Sequence, residues 1–251
     1  MKFRFKAFGL HLLGSVCVLA LVLGVLYLGW YRWPGWYLTG GVKIAALMTG
    51  IDVILGPVLT LVIANPTKPR RELTRDIGII IGVQLLAAGY GATTLWQGRV
   101  LYYVFSQKYL EIVQASDLHD EQITSARQLN PGFAPHWYSL PRWIYAPLPQ
   151  DPKLQEQIVR SAVSGEDDVT QMPRYYQSWE TGSQELSKTL APVDTLGQFS
   201  QKERQVLKRR MSQLGLSAQQ PNAVPMMGRE RWLLAVFDPK VMTLQALMRA
   251  D

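Results

Sequence analysis

The sequence predicts a membrane α-helical region of three transmembrane helices followed by a small α+β extracytoplasmic domain. Three observations carry that reading. Three long apolar runs fill the chain up to Trp96; the Lys and Arg residues beside those runs are concentrated at the N-terminus and in the second connecting loop; and after Trp96 the composition turns to mixed, Pro- and Gln-containing sequence with ordinary charge content. A compositional break of this kind marks a domain boundary. The expected division is residues 1–98 for the membrane domain and 99–251 for the outer domain, the latter long enough to bury its own core.

The first span is read at 9–30, the second at 41–64 and the third at 77–96. A helix rises about 1.5 Å per residue, so about 20 apolar residues cross a hydrocarbon core of about 30 Å. The first run holds no Asp, Glu, Lys or Arg, is longer than a signal-peptide core, and is not followed by a small-residue cleavage site, so it reads as an uncleaved anchor. Cys17 lies inside it, preceded by Val16, which does not suit a lipid-modified cysteine; it is the single cysteine of the chain, so no intramolecular disulfide can form. Trp30, Tyr31, Trp33, Trp36 and Tyr37 follow as an interfacial aromatic belt, with Pro34 and Gly35 making the turn.

The second span carries Asp52 near its middle, where an ionisable group costs about 2.5–3.5 kcal/mol on insertion scales and should face protein rather than lipid. Lys43, near an end, can snorkel to the headgroups. Pro57 removes a backbone donor and kinks the helix, and Asn65-Pro66 ends it. In the third span Gly78 and Gly82 form a small-xxx-small pair, expected to pack against the first or second span, and Gln84 is the expected hydrogen-bond partner of Asp52. Asp52, Gly56, Pro57, Gly78, Gly82 and Gln84 are therefore the helix-contact candidates.

Orientation follows from the loops. Lys2, Arg4 and Lys6 precede the first span, and Lys68, Arg70, Arg71 and Arg75 stand in the second loop, whereas the first loop holds Arg32 alone. Positive charge stays in the cytoplasm, so the N-terminus is expected inside and everything after Trp96 outside. The net charge of +7 is then a topology signal in large part, and a nucleic-acid partner is not expected. Lys202, Arg204, Lys208, Arg209 and Arg210 read as the solvated face of a helix.

In the outer region, VLYYVF and YLEIV read as strands and Asp120–Leu129 as a short helix. Trp143–Pro147 is extended. Pro152–Ser164 has helical spacing, with Gly165 to cap its end, and Ser200–Leu214 is an amphipathic helix whose Ser200 and Glu203 make a capping box. Trp232–Phe237 reads as a strand, returning as a second over Val241–Leu247.

Chemistry-bearing patterns are sparse. His11, His119 and His136 are too far apart in sequence for a metal-ligand spacing by themselves, and Glu166, Asp167 and Asp168 read as a solvated turn. There is no phosphate-binding glycine loop and no G-x-S-x-G. No cofactor, no metal site and no enzymatic activity are expected. A membrane-anchored enzyme acting on the cell envelope would have to draw on Glu166, Asp167, Asp168 and His136. An envelope sensor would have to borrow a cytoplasmic signalling domain from a partner.

The basic start with RFKAFGLHLLGS, the segment TGIDVILGPVLTLVI, the third span running into QGRVLYYVF and, more weakly, GEDDVTQMPRYYQSW resemble the type IV pilin accessory protein family over nearly the whole chain. The resemblance implies a multi-pass protein of the bacterial inner membrane, with a periplasmic C-terminal domain. It implies a non-enzymatic role in pilus biogenesis, assisting pilin stability, assembly or surface display. The implied partners are the major type IV pilin, other inner-membrane assembly components and the lipid bilayer. An enzyme or sensor acting on pilin or the envelope is the alternative.

Overall fold

A computed structural model of the chain describes residues 2–65, 67–229 and 231–251. These residues divide into two compact units, one made of Met1–Arg32 and Gly40–Arg99, the other of Trp33–Thr39 and Val100–Asp251.

The first unit holds three helices long and apolar enough to cross a membrane. The first is α1 (Lys2–Leu26), continued by a π turn over Tyr27–Tyr31. The second span is α3 (Gly41–Thr49), a π turn over Gly50–Leu55, and α4 (Gly56–Ile63). The third is α5 (Arg70–Gln97). Leu10, Leu21, Leu47, Val62, Leu85 and Leu86 are all exposed on these helices. That is costly in water and is the normal surface of a helix in hydrocarbon. The second span stops at Ile63; of its expected stop signal, Pro66 lies outside the described residues. At the far end Tyr31 donates to the Leu95 carbonyl at 2.7 Å, and Trp30 meets Trp96 edge to face at 5.0 Å.

The second unit is built on a mixed sheet. Its strands are β1 (Val100–Ser106), β2 (Tyr109–Gln114), β3 (Arg142–Tyr145), β4 (Ala223–Met227), β5 (Trp232–Phe237) and β6 (Leu244–Arg249), in the order β3-β1-β2-β4-β5-β6. β1 pairs in parallel with β3, and β2 with β4; the other neighbours are antiparallel. The helices are α6 (Asp120–Leu129), α7 (Pro152–Val163), α8 (Trp179–Ser187) and α9 (Gln201–Gln213). Both sheet faces are covered. Leu233, Ala235 and Phe237 of β5 join Leu186 of α8 in one core cluster, while Leu234 and Val236 meet Leu207 and Met211 of α9 in another. A strand covered on both faces reads as a continuous apolar run rather than an alternation, which is why WLLAVF stands out in the sequence.

The segment Trp33–Thr39, which the sequence reading gave to the membrane interface, belongs to this second unit. It contains a short helix α2 (Gly35–Leu38). Leu38 is fully buried in the core with Tyr103, Phe105 and Leu233, and its carbonyl accepts from the Arg229 N–H at 3.0 Å. Tyr37 lies beneath the guanidinium groups of Arg231 and Arg249, at 4.6 and 5.2 Å.

Besides α2, strand β4 and helix α8 are absent from the sequence reading. β4 contains Pro225, which ordinarily argues against an interior strand. It is accommodated because the β2–β4 pairing is confined to Leu110–Met226 and Glu111–Met227. Helix α8 has a mixed, Ser- and Glu-containing sequence, and Gly182 lets it approach β3: a Cβ there would stand 2.6 Å from the Tyr145 Cβ. The final strand begins at Leu244 rather than Val241, because Asp238–Met242 forms a turn closed by the Met242 N–H on the Asp238 carbonyl.

Candidate functional site

The polar groups of the three spans converge, and Pro57 is the reason. In the π turn the Gly56 N–H donates to Ile51 O, five residues back. The same register would give the Asp52 carbonyl the N–H of residue 57, and proline has none. The Asp52 carbonyl is therefore orphaned inside an apolar helix bundle. Gln84 of α5 supplies the missing donor, its Nε2 lying 3.0 Å from Asp52 O. Gly56 makes room for it: a Cβ at that position would stand 2.1 Å from Gln84 Nε2.

This contact fixes the orientation of the rest. With the Gln84 amide nitrogen turned to Asp52, its Oε1 faces His11 and accepts from His11 Nε2 at 2.7 Å. In the neutral imidazole, Nδ1 then accepts from the Thr60 hydroxyl at 2.5 Å. One chain of hydrogen bonds thus ties α1, α4, α5 and the π turn together. Thr60, Gln84 and Asp52 are 1%, 8% and 6% exposed. The Asp52 carboxylate lies beside the same Gln84 side chain. Its Oδ1 is enclosed without a hydrogen-bond partner, and Asp52 is among the residues lining a cavity of about 410 Å³ between α1, α5 and the second span.

The expected partnership of Gln84 with Asp52 exists, through the backbone carbonyl of Asp52. Gly56 and Pro57 stand at its centre. Gly78 and Gly82 differ from expectation. Both are exposed, and no atom lies within 4 Å of where a Cβ would stand. Their face turns away from the first and second spans, because the face of α5 packed on the bundle is the one carrying Ile80, Gln84, Gly91 and Leu95. The close approach that small residues allow is made instead by Gly56 and by Gly91, whose added Cβ would meet Met48 Sδ at 2.6 Å. His11, expected as a surface or hydrogen-bonded residue, is hydrogen-bonded; its partners come from two other helices, which no local spacing shows.

In the second unit the acidic run is tied into the fold. Asp167 accepts from Gln122 Nε2 at 2.8 Å and lies 2.7 Å from His119 Nδ1, joining the start of α6 to the loop after α7. Asp168 caps the following 3₁₀ turn through the Val169 N–H, and Glu166 is exposed. His136 stacks on Tyr138 at 5.3 Å. Glu111 of β2 is held near Thr170 with Asp168 and Asp117 around it; burial, foremost, and those two carboxylates push its pKa up to about 7. Among the described residues, no group of three or more His, Cys, Asp or Glu is placed to hold a metal ion.

The fold and site define an integral membrane protein with three spans and an α+β domain. Comparison with known proteins places it further. No family model matches the chain, and no solved structure does. The chain is 26% identical over 254 residues to the fimbrial assembly protein of serogroup I of Dichelobacter nodosus, covering 99% of this chain and 96% of that one. It is 25% identical over the same length to the serogroup E1 protein of that organism. To the fimbrial assembly protein of serogroups C1 and C2 it is 34% identical over 124 residues, 49% of this chain and 95% of that relative. The chain belongs to this family of fimbrial assembly proteins, in agreement with the resemblance carried by its second span.

Proposed function

We propose that this chain is a non-enzymatic accessory factor of type IV pilus biogenesis. It resides in the bacterial inner membrane, with its N-terminus in the cytoplasm and its C-terminal domain in the periplasm. There it engages the major pilin before assembly, through its spans and outer domain, and supports pilin stability, assembly or display. The observation that carries this reading is the end-to-end similarity to fimbrial assembly proteins, which spans both the membrane helices and the outer domain. The alternation of basic loops supports the orientation. The occupation of Asp167 and Asp168 by structural hydrogen bonds supports a role without chemistry of its own.

The test is deletion of the chain in a piliated host, scored by surface pili and by total pilin. Loss of surface pili, restored by the wild-type chain and by a variant with alanine at Glu166, Asp167, Asp168 and His136, is the expected result. Normal piliation after deletion would end the reading. Failure of the alanine variant alone, with its protein level maintained, would favour a membrane-anchored enzyme.

A further inference from the structure

We propose that the turn carrying Trp137 and Tyr138 is a membrane-contact loop, through which the C-terminal α+β domain rests on the surface of the bilayer that its own spans cross. The proposal goes beyond the pilus reading and needs only the three spans.

The turn holds apolar surface outward. The His136 N–H donates to Ser139 Oγ at 2.8 Å, and the Ser139 N–H donates to the His136 carbonyl at 3.1 Å. Trp137 and Tyr138 are therefore the two central residues of a tight turn. Pro135 and Pro141 flank it and restrict the backbone on both sides. Behind it, Arg142 Nη1 donates to the Gly132 carbonyl at 3.1 Å. The His136 and Tyr138 rings stack within 7° of parallel, and Trp137 meets Tyr138 edge to face at 5.5 Å. Trp137 is nevertheless 72% exposed, and Tyr138 and Leu140 are 58% exposed each. Three large apolar groups held out together are costly in water and mark a contact surface.

The sheet decides which surface. β1 and β3 are parallel, with Tyr102 opposite Arg142, so the turn just before β3 lies at the end of the sheet where β1 begins. β1 begins at Val100, with only Gly98 and Arg99 separating it from the end of α5 at Gln97. The other passage of the chain through this domain, Trp33–Thr39, is fastened at the same end. β2 finishes opposite Val100 at Gln114, β4 runs parallel to β2, and just beyond β4 the Arg229 N–H holds the Leu38 carbonyl. The connections to the spans and the exposed aromatic turn thus share one end of the sheet. The turn Asp238–Met242 stands at the opposite end, because β5 runs antiparallel to β4.

The chemistry suits a lipid surface. Tryptophan and tyrosine concentrate at membrane–water interfaces, where the ring is buried among the headgroups and its polar edge stays wet. From Gln122 to Gln150 the chain contains no Asp or Glu, and it carries Arg127 and Arg142, both exposed. A stretch without carboxylates that bears guanidinium groups complements phosphate headgroups, anionic ones above all.

The experiment is nitroxide accessibility on the full chain, carrying Cys17→Ala and reconstituted in nanodiscs of phosphatidylcholine and phosphatidylglycerol. One label is placed through Leu140→Cys, beside the intact aromatic pair. A second is placed through Val241→Cys, also an exposed apolar position but at the far end of the sheet. Oxygen partitions into the bilayer and a nickel chelate into water, so the ratio of the two accessibilities reads depth. The label at 140 should favour oxygen, and the label at 241 should favour nickel. Trp137→Ser combined with Tyr138→Ser should bring the ratio at 140 down to that at 241. Both rings are exposed, so this variant keeps the fold, which an unchanged melting temperature verifies. A label at 140 that reads as water in the parent chain overturns the proposal. An oxygen preference that survives loss of both rings overturns it too, since the turn would then not hold the domain to the bilayer. Protection of 140 from both reagents, in the pure chain or only after pilin is added, shows a protein covering the turn and overturns the lipid contact. Normal piliation on deletion would end the accessory reading and leave this contact standing.

Discussion

The Gln84 side chain donates to the Asp52 carbonyl across two spans, at 3.0 Å, in the place of an N–H that Pro57 lacks. A single proline thereby creates a polar requirement in the second span that the third span meets, and Gly56 permits the approach. Three positions read separately in the sequence are one structural unit. The unit makes a testable statement about energetic coupling. Gln84→Ala leaves the Asp52 carbonyl unsatisfied and should cost about 1–3 kcal/mol. Gly56→Ala drives a methyl into the Gln84 amide and should cost a similar amount, by about 1–3 kcal/mol of overpacking. In the double variant the methyl occupies the space the amide has left. The two costs should therefore fail to add, with a coupling on the order of 1 kcal/mol. Unfolding of the detergent-solubilised chain measures all four corners of the cycle, and strict additivity would refute the linkage.

The opposite face of α5 gives a contrasting expectation. Gly78 and Gly82 have open space where a side chain would stand. Gly78→Leu and Gly82→Leu should therefore insert and fold as well as the parent, or slightly better, since glycine costs about 1 kcal/mol relative to good helix formers. Protease protection in spheroplasts checks insertion, and surface pili check function. A fall in pili at unchanged protein level would identify this face as a second contact with another helix; a fall in protein level would contradict the free face.

The contrast between Gly56 and the Gly78–Gly82 pair marks how far the sequence could be read. Three apolar runs and the basic loops carry a strong, long-range signal, so the spans and their number were legible, as were the strands over Val100–Ser106 and Trp232–Phe237. The small-xxx-small spacing identifies a face where a helix can approach but not which neighbour, if any, stands against it. Gly56 and Gly91 have no such spacing, yet they make the close contacts. His11 was beyond reach because its two partners, Thr60 and Gln84, come from different helices. Asp52 was legible as an anomaly from depth alone, whereas the cavity it lines was not. In the C-terminal α+β domain, Pro225 hid β4, since a proline in a short apolar run reads as a break until the limited pairing beside it is known.

Glu111 should make the C-terminal α+β domain sensitive to pH. Burial and the nearby Asp168 and Asp117 raise its pKa to about 7, against an ordinary value of 4.5. The folded state then holds a proton that the unfolded chain releases, so the contribution of Glu111 to stability is fully present below about pH 4.5, falls as pH rises toward 7, and levels off above it. Asp117 is paired with Arg229 at 2.9 Å, which leaves Glu111 as the carboxyl whose charging carries the cost. Glu111→Gln should raise the melting temperature of the full chain at pH 8, by the equivalent of on the order of 2 kcal/mol, and should leave it nearly unchanged at pH 4.5. An equal shift at both pH values would show that the substitution acts through packing instead.

Gly228 controls how the segment Trp33–Thr39 is held within its unit. A Cβ at Gly228 would stand 2.6 Å from Leu38 O and 2.7 Å from the Leu38 Cβ. The nearer atom is backbone, so no rotamer change relieves the clash, and Leu38 is completely buried among Tyr103, Phe105 and Leu233. Gly228→Val must therefore displace Leu38, breaking the Arg229 N–H bond to its carbonyl and leaving a hole in the core. The cost should be about 2–4 kcal/mol. Tyr37 would leave the guanidinium groups of Arg231 and Arg249 at the same time. Limited proteolysis of the solubilised chain reads the outcome directly: cleavage near Arg32 should accelerate in Gly228→Val and stay slow in Gly132→Val, where an added Cβ meets no atom within 4 Å. If both variants are cut at the parental rate, Leu38 is not what fastens this segment, and the aromatic contacts of Tyr37 must hold it unaided.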